Sequence, residues 1–154
     1  MSTIDVGKKA PQFTLEGTGG SWSLSDAAGA PVVIYFYPRD NTPGCTQEGA
    51  DFAAAYAQFK RAKTQLVGIS ADSMAAHEKF KQKMAFPFEL LSDPDKKVCK
   101  QYDVIQEKSM YGKKFLGIER STFLVDGKGV LRHLWRKVKV NGHAAAVLAA
   151  VQAL

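Results

Sequence analysis

Apolar residues fall along this chain in short dense runs separated by longer stretches with a helical spacing. The run Val32-Val33-Ile34-Tyr35-Phe36-Tyr37 has no polar break, which predicts a strand buried on both faces. Gln65-Leu66-Val67-Gly68-Ile69-Ser70 predicts a second buried strand, and Phe88 to Leu91 a shorter third. Between these runs the pattern changes period. From Cys45 to Ala62, Phe52, Tyr56 and Phe59 share one helical stripe, and from Ser73 to Ala85, Met74, His77, Phe80 and Met84 share another. Ser92-Asp93-Pro94-Asp95 supplies turn and capping residues before a predicted helix carrying Val98, Cys99, Tyr102 and Ile105. Gly112 and Gly117 interrupt the next segment. Thr122 to Val125 and Val130 to Trp135 flank Asp126-Gly127-Lys128-Gly129, a hairpin signal. Asn141 is placed to cap a last helix with Val147, Leu148, Val151 and Leu154 inward. Alternation in the first half and a hairpin in the second imply an α/β sandwich, parallel strands first and antiparallel strands last.

Composition adds exclusions rather than a function. The chain has 154 residues, 45% apolar and 23% charged, enough for one well-buried domain over 1–154 with no internal repeat and no linker. Met1 to Phe13 lacks the apolar core of a signal peptide, and no stretch approaches a membrane span, so a cytoplasmic protein with no membrane partner is expected. The formal charge is +6, but the cations interleave with apolar residues in the manner of solvated helix and strand faces, and no nucleic-acid partner is expected. Two cysteines, Cys45 and Cys99, suit a reducing compartment. His77, His133 and His143 have no Cys or carboxylate at metal-ligand spacing, so no metal is implied. Neither a Walker loop nor a dinucleotide-binding glycine pattern is present, so no bound cofactor is expected.

The candidate chemistry lies in Pro38-Arg39-Asp40-Asn41-Thr42-Pro43-Gly44-Cys45-Thr46, where the first buried run ends. Thr42 can cap a helix and Pro43 suits its first position, which puts Cys45 in the first turn. Unpaired backbone N–H groups and the positive end of the helix dipole there favour an anionic sulfur, and hence a nucleophile. A buried, inert cysteine is the alternative; the polar and backbone-exposing flanks Gly44 and Thr46 argue against it.

Pro38, Thr42 and Cys45 reproduce the Pro-x-x-x-Thr-x-x-Cys signature, and the chain resembles the peroxiredoxins, specifically the peroxiredoxin Q (bacterioferritin comigratory protein) subgroup. The resemblance continues through Leu90 to Asp95, Lys108 to Lys114 and Gly117 to Asp126. It implies a thioredoxin-like fold with an amino-terminal hairpin around Gly17 to Gly20, and a mixed central sheet flanked by helices. It also implies a monomeric thiol-dependent peroxidase acting on hydrogen peroxide and organic hydroperoxides through a Cys45 sulfenic acid. Cys45 is the implied nucleophile, Thr42 bonds the peroxide, Pro38 excludes water and Arg120 supplies fixed positive charge. Glu48, one turn beyond Cys45, reads as a structural carboxylate favoured by the helix dipole.

Many members of the subgroup carry a second cysteine five residues after the first; this chain has Ala50 there. Others place it in the following long helix, but Ser73 to Ala85 has none, and Cys99 reads as a core residue. The resemblance therefore implies one-cysteine recycling by an external thiol reductant: thioredoxin, glutaredoxin or glutathione. A peroxide sensor or chaperone-like binding protein using the same Cys45 is the rival reading. A cysteine hydrolase would need a histidine base that the local sequence lacks.

Overall fold

The computed structural model describes residues 4–154. The elements are β1 (Thr14–Gly17), β2 (Gly20–Ser23), a 3-10 turn (Leu24–Ala27), β3 (Val32–Phe36), α1 (Pro43–Arg61), β4 (Gln65–Ser70) and α2 (Met74–Met84). They continue with β5 (Glu89–Ser92), α3 (Lys97–Gln101), β6 (Ile105–Met110), β7 (Lys113–Ile118), β8 (Ser121–Val125), β9 (Leu131–Trp135) and α4 (His143–Gln152).

Seven strands form one sheet in the order β2-β1-β5-β4-β3-β8-β9. β3, β4 and β5 run parallel, and β8 and β9 add as antiparallel strands beside β3, as the run pattern predicts. The hairpin expected at Gly17 to Gly20 is β1–β2. Because β3 is central, its residues are buried on both faces, and alternation divides them between two cores. Val33, Tyr35 and Tyr37 join Phe52 and Phe59 of α1, Phe80 of α2 and Val147 and Val151 of α4. Val32, Ile34 and Phe36 face the other way, toward the 3-10 turn, Val98 and Cys99 of α3, and Tyr102.

Several expectations are corrected. The helix expected to reach Ile105 ends at Gln101: Asp103 takes a left-handed φ of 57°, and Val104 N–H bonds back to the Cys99 carbonyl. Ile105 instead opens β6 and pairs with Ile118 in a two-stranded hairpin that the interrupting glycines concealed. That hairpin turns at Tyr111 and Gly112, both with positive φ, the geometry a two-residue hairpin turn requires. The last helix is bounded by Gly142, with a left-handed φ of 78°, rather than by Asn141, and Leu154 is exposed beyond its end.

Candidate active site

The loop 37–42 carries the chain from the end of β3 into α1. Thr42 stands at the helix boundary in extended conformation, with φ −95° and ψ 155°, as a residue before proline must, and Pro43 occupies the first turn. The Thr42 hydroxyl does not cap the helix; it donates to the Arg39 carbonyl at 2.8 Å. Its oxygen lone pairs are left free to accept.

Cys45 follows in the first turn and is only 2% exposed. The polar flanks therefore misread its burial: Gly44 and Thr46 are half-buried, while the Cys45 side chain turns inward against the Tyr35 and Phe52 core. Burial does not make the sulfur inert, because a cation meets it there. Arg120 Nη2 donates to Cys45 Sγ at 3.5 Å.

Strand pairing delivers that arginine. Phe36 at the end of β3 is in register with Ser121 at the start of β8, so the residue before Ser121 arrives beside the turn that leaves β3. Gly44 allows the approach, since a Cβ there would lie 3.0 Å from Arg120 Nη2. The guanidinium also donates from Nη1 to Glu48 Oε1 at 2.6 Å, the forked use of arginine that lysine cannot reproduce.

Glu48 is thus part of the site, which corrects its reading as a helix-dipole carboxylate. It is 1% exposed, and Oε2 has no hydrogen-bond partner among the described residues. Burial pushes its carboxyl from the ordinary 4.5 up to about 7, against the opposing pull of Arg120. A buried carboxylate three residues from an arginine-bound cysteine has no local sequence signal, because its partner is 72 residues away. Lys108 of β6 is another residue the sequence did not point to. Half-buried within electrostatic reach of Cys45 and Arg120, it donates to the Ile118 carbonyl at 2.6 Å, and burial, then Arg120, lowers its pKa.

Arg120 and Cys45 are in contact, while Thr42 and the half-buried Pro38 lie on the loop that leads into the Cys45 turn. The side chain hydrogen-bonded to Cys45 is an arginine, not a histidine base. His143 bonds Thr122 Oγ1 at 2.7 Å through Nε2, and burial, then Arg120, pushes its pKa down to about 4, which keeps it neutral at pH 7.

His77 corrects the expectation that the histidines lack carboxylate partners. Its Nδ1 lies 2.6 Å from Asp40 Oδ2, and one nitrogen or oxygen from each of Asp40, Asp72 and His77 falls within a 4.8 Å cluster. These ligand-type atoms already have protein partners. Asp72 Oδ2 accepts from Asp40 N–H at 2.8 Å and from Ser70 Oγ at 2.5 Å, and His77 Nε2 lies 2.9 Å from the Leu91 carbonyl.

Cys99 is a free thiol in the core on the opposite face of the sheet from Cys45. Burial, then Asp93, pushes its pKa far above the ordinary thiol range.

Residues 6–134 match the AhpC/TSA family. The chain is 51% identical over 142 residues to peroxiredoxin Bcp of Xanthomonas campestris, covering 92% of this chain and 83% of that one. With peroxiredoxin Bcp of Bacillus subtilis it shares 46% identity over 147 residues, covering 95% and 94%. Among solved structures, the X. campestris bacterioferritin comigratory protein, studied for alkyl peroxide reduction, superposes with a TM-score of 0.89 at 47% identity, covering 99% and 98% of the two chains. Xylella fastidiosa PrxQ superposes with a TM-score of 0.93 at 40% identity, covering 99% and 98%.

Proposed function

The chain belongs to the AhpC/TSA family, with the thioredoxin-like fold and thiol-dependent peroxidase activity of its peroxiredoxin relatives, and from that premise we propose how its own residues carry the reaction. Its substrates are a peroxide and a thiol reductant. The observation that carries the assignment of roles is the Arg120 guanidinium against the Cys45 sulfur at 3.5 Å, in the first turn of α1.

Cys45 is the nucleophile. Arg120 and the backbone donors of the turn hold its sulfur as thiolate, which attacks one oxygen of the hydroperoxide. A sulfur–oxygen bond forms as the oxygen–oxygen bond breaks. The sulfur loses two electrons to become a sulfenic acid, and the departing oxygen takes up a proton as water or alcohol. Arg120 also faces the charge that gathers on that oxygen. The Thr42 hydroxyl hydrogen is spent on the Arg39 carbonyl, so its oxygen accepts from the peroxide O–H. Pro38 restricts water at the loop, and Glu48 orients Arg120 through the 2.6 Å contact.

Recycling is by one cysteine. An external thiol attacks the sulfenic sulfur, water leaves, and a second thiol reduces the mixed disulfide. The separation of Cys45 and Cys99 by the sheet supports this reading. We place thioredoxin, glutaredoxin and glutathione as candidate reductants, and read residues 1–154 as one domain acting as a monomer in the cytoplasm. Two cores on one sheet support the single domain across 4–154; residues 1–3 lie outside the described residues. No helix among the described residues is long and apolar enough to cross a membrane.

Steady-state peroxide consumption with excess thiol tests the assignment. Cys45→Ser should abolish turnover while keeping the fold, and a serine variant that still turned over would assign the chemistry elsewhere. Consumption of a single equivalent by the wild type would mark a sensor rather than an enzyme.

A further inference from the structure

The loop bearing Pro38 and Thr42 is fastened from behind by a buried group outside the Cys45 site. Asp40 is engaged at both carboxylate oxygens: Tyr37 Oη donates to Oδ1 at 2.6 Å, and His77 Nδ1 lies 2.6 Å from Oδ2. The other imidazole nitrogen, Nε2, is 2.9 Å from the Leu91 carbonyl, which can only accept, so Nε2 carries a hydrogen. His77 is 0% exposed and is thus fixed at both nitrogens, one to the loop and one to β5.

The loop backbone is held as well. Asp40 N–H donates to Asp72 in the turn after β4. Asn41 takes a left-handed φ of 61°, a conformation asparagine tolerates better than most residues, and its side chain accepts from Lys83 of α2 at 2.8 Å. Thr42 and the Cys45 turn follow directly. Strained backbone persists where surrounding contacts over-determine it, and here those contacts come from α2, β4 and β5.

We propose that Asp40 and His77 are positioning residues for the peroxide step: their buried contact holds the 38–42 loop so that Thr42 and the first turn of α1 present Cys45 in one geometry. The proposal rests on the peroxidase reading of Cys45. Neither residue touches the sulfur. They act through the loop, and misplacing a reacting group by about an ångström can cost on the order of a hundredfold in rate.

The test measures two second-order rate constants on the full chain: reaction with hydrogen peroxide, and alkylation of Cys45 by iodoacetamide read by mass spectrometry of its peptide. His77→Gln keeps a donor for the Leu91 carbonyl but withdraws from Asp40; His77→Asn keeps a nitrogen at the Nδ1 position. In His77→Gln the peroxide rate should fall by about tenfold or more while alkylation rises, because a loosened loop misplaces Thr42 and uncovers the sulfur. His77→Asn should recover to within about threefold of wild type. If His77→Gln does not fold, Asp40→Ala removes the same contact, with the same opposed changes expected. A wild-type peroxide rate in the folded variant, equal behaviour of the Gln and Asn variants, or a parallel fall of both rates would each overturn the positioning role. Cys45→Ser measured alongside separates the two claims. Turnover by that variant defeats the peroxidase assignment, whereas an inactive serine variant beside an unaffected His77→Gln defeats positioning alone.

Discussion

At the scale of single residues, the site depends on one guanidinium shared between a sulfur and a buried carboxylate. Arg120→Lys keeps a positive charge but cannot reach Cys45 and Glu48 together, so the peroxide rate constant should drop by about a hundredfold, the range found when one preorganised donor is removed. Stopped-flow measurement with hydrogen peroxide decides it, and a lysine variant within about threefold of wild type would show that charge alone suffices. Glu48 makes a prediction about pH. The folded chain holds its proton up to about pH 7, while an unfolded chain releases it near the ordinary 4.5, so between these values the folded state binds more protons. Stability from this group is therefore full below pH 4.5 and is lost as pH rises through 7. A shift of this size corresponds to on the order of 3 kcal/mol. Glu48→Gln, which stays neutral, should flatten that part of the profile, and urea unfolding at pH 4 and pH 8 compares the slopes. Identical slopes in the two proteins would place the carboxyl's titration elsewhere.

At the scale of elements, α1 is set against its surroundings by Gly49 as much as by its apolar stripe. Helix propensity alone says that Gly49→Ala should stabilise a mid-helix position by about 1 kcal/mol. The structure says otherwise: a Cβ there would lie 2.4 Å from the buried Phe86 ring, which is stacked on Phe88 and edge-on to Phe80. Overpacking should outweigh propensity and leave the alanine variant about 1–3 kcal/mol less stable, as the midpoint of denaturant unfolding will register. A raised midpoint would mean that Phe86 yields. The helices and strands most legible in the sequence were those whose burial pattern is strong. β4 starts and ends where the apolar run does, and α2 runs from the residue after Ser73, whose hydroxyl accepts from Ala76 N–H, to Met84. The β6–β7 hairpin was not legible. Its outer part exposes Met110, Phe115 and Leu116 rather than alternating cleanly, and only Ile105 and Ile118 at its base join or pack against the core.

At the scale of the whole molecule, the sheet is a partition between the two thiols. Cys45 faces the core under α1, α2 and α4, and Cys99 the core beside α3, so bridging them would require one sulfur to leave its core and pass the edge of a seven-stranded sheet. A disulfide needs Cα atoms within about 7 Å. Cys99→Ser should therefore retain most multiple-turnover activity with an external thiol. Peptide mapping of the peroxide-treated wild type should find Cys45 as sulfenic acid or a small-thiol adduct. A dominant Cys45–Cys99 bridge, together with lost turnover in Cys99→Ser, would replace one-cysteine recycling by an opening of the fold large enough to join the two cores.

What the sequence determined by itself was whatever depends on neighbours along the chain. The unbroken run from Val32 implied a strand buried on both faces, and Thr42-Pro43 implied a helix start with Cys45 in its first turn; the structure has both. What only the tertiary structure decided depends on residues far apart. The register of Phe36 with Ser121 brings Arg120 to a sulfur 75 positions away, and the packing of α2 carries His77 to Asp40, 37 positions away. Cys45 is buried although its neighbours are polar, and Glu48 is a site residue although its position in the first turns of α1 already explains a carboxylate. Local patterns record propensity and period, whereas burial and charge pairing are properties of the surface that arrives from elsewhere, and strand pairing settles which surface that is.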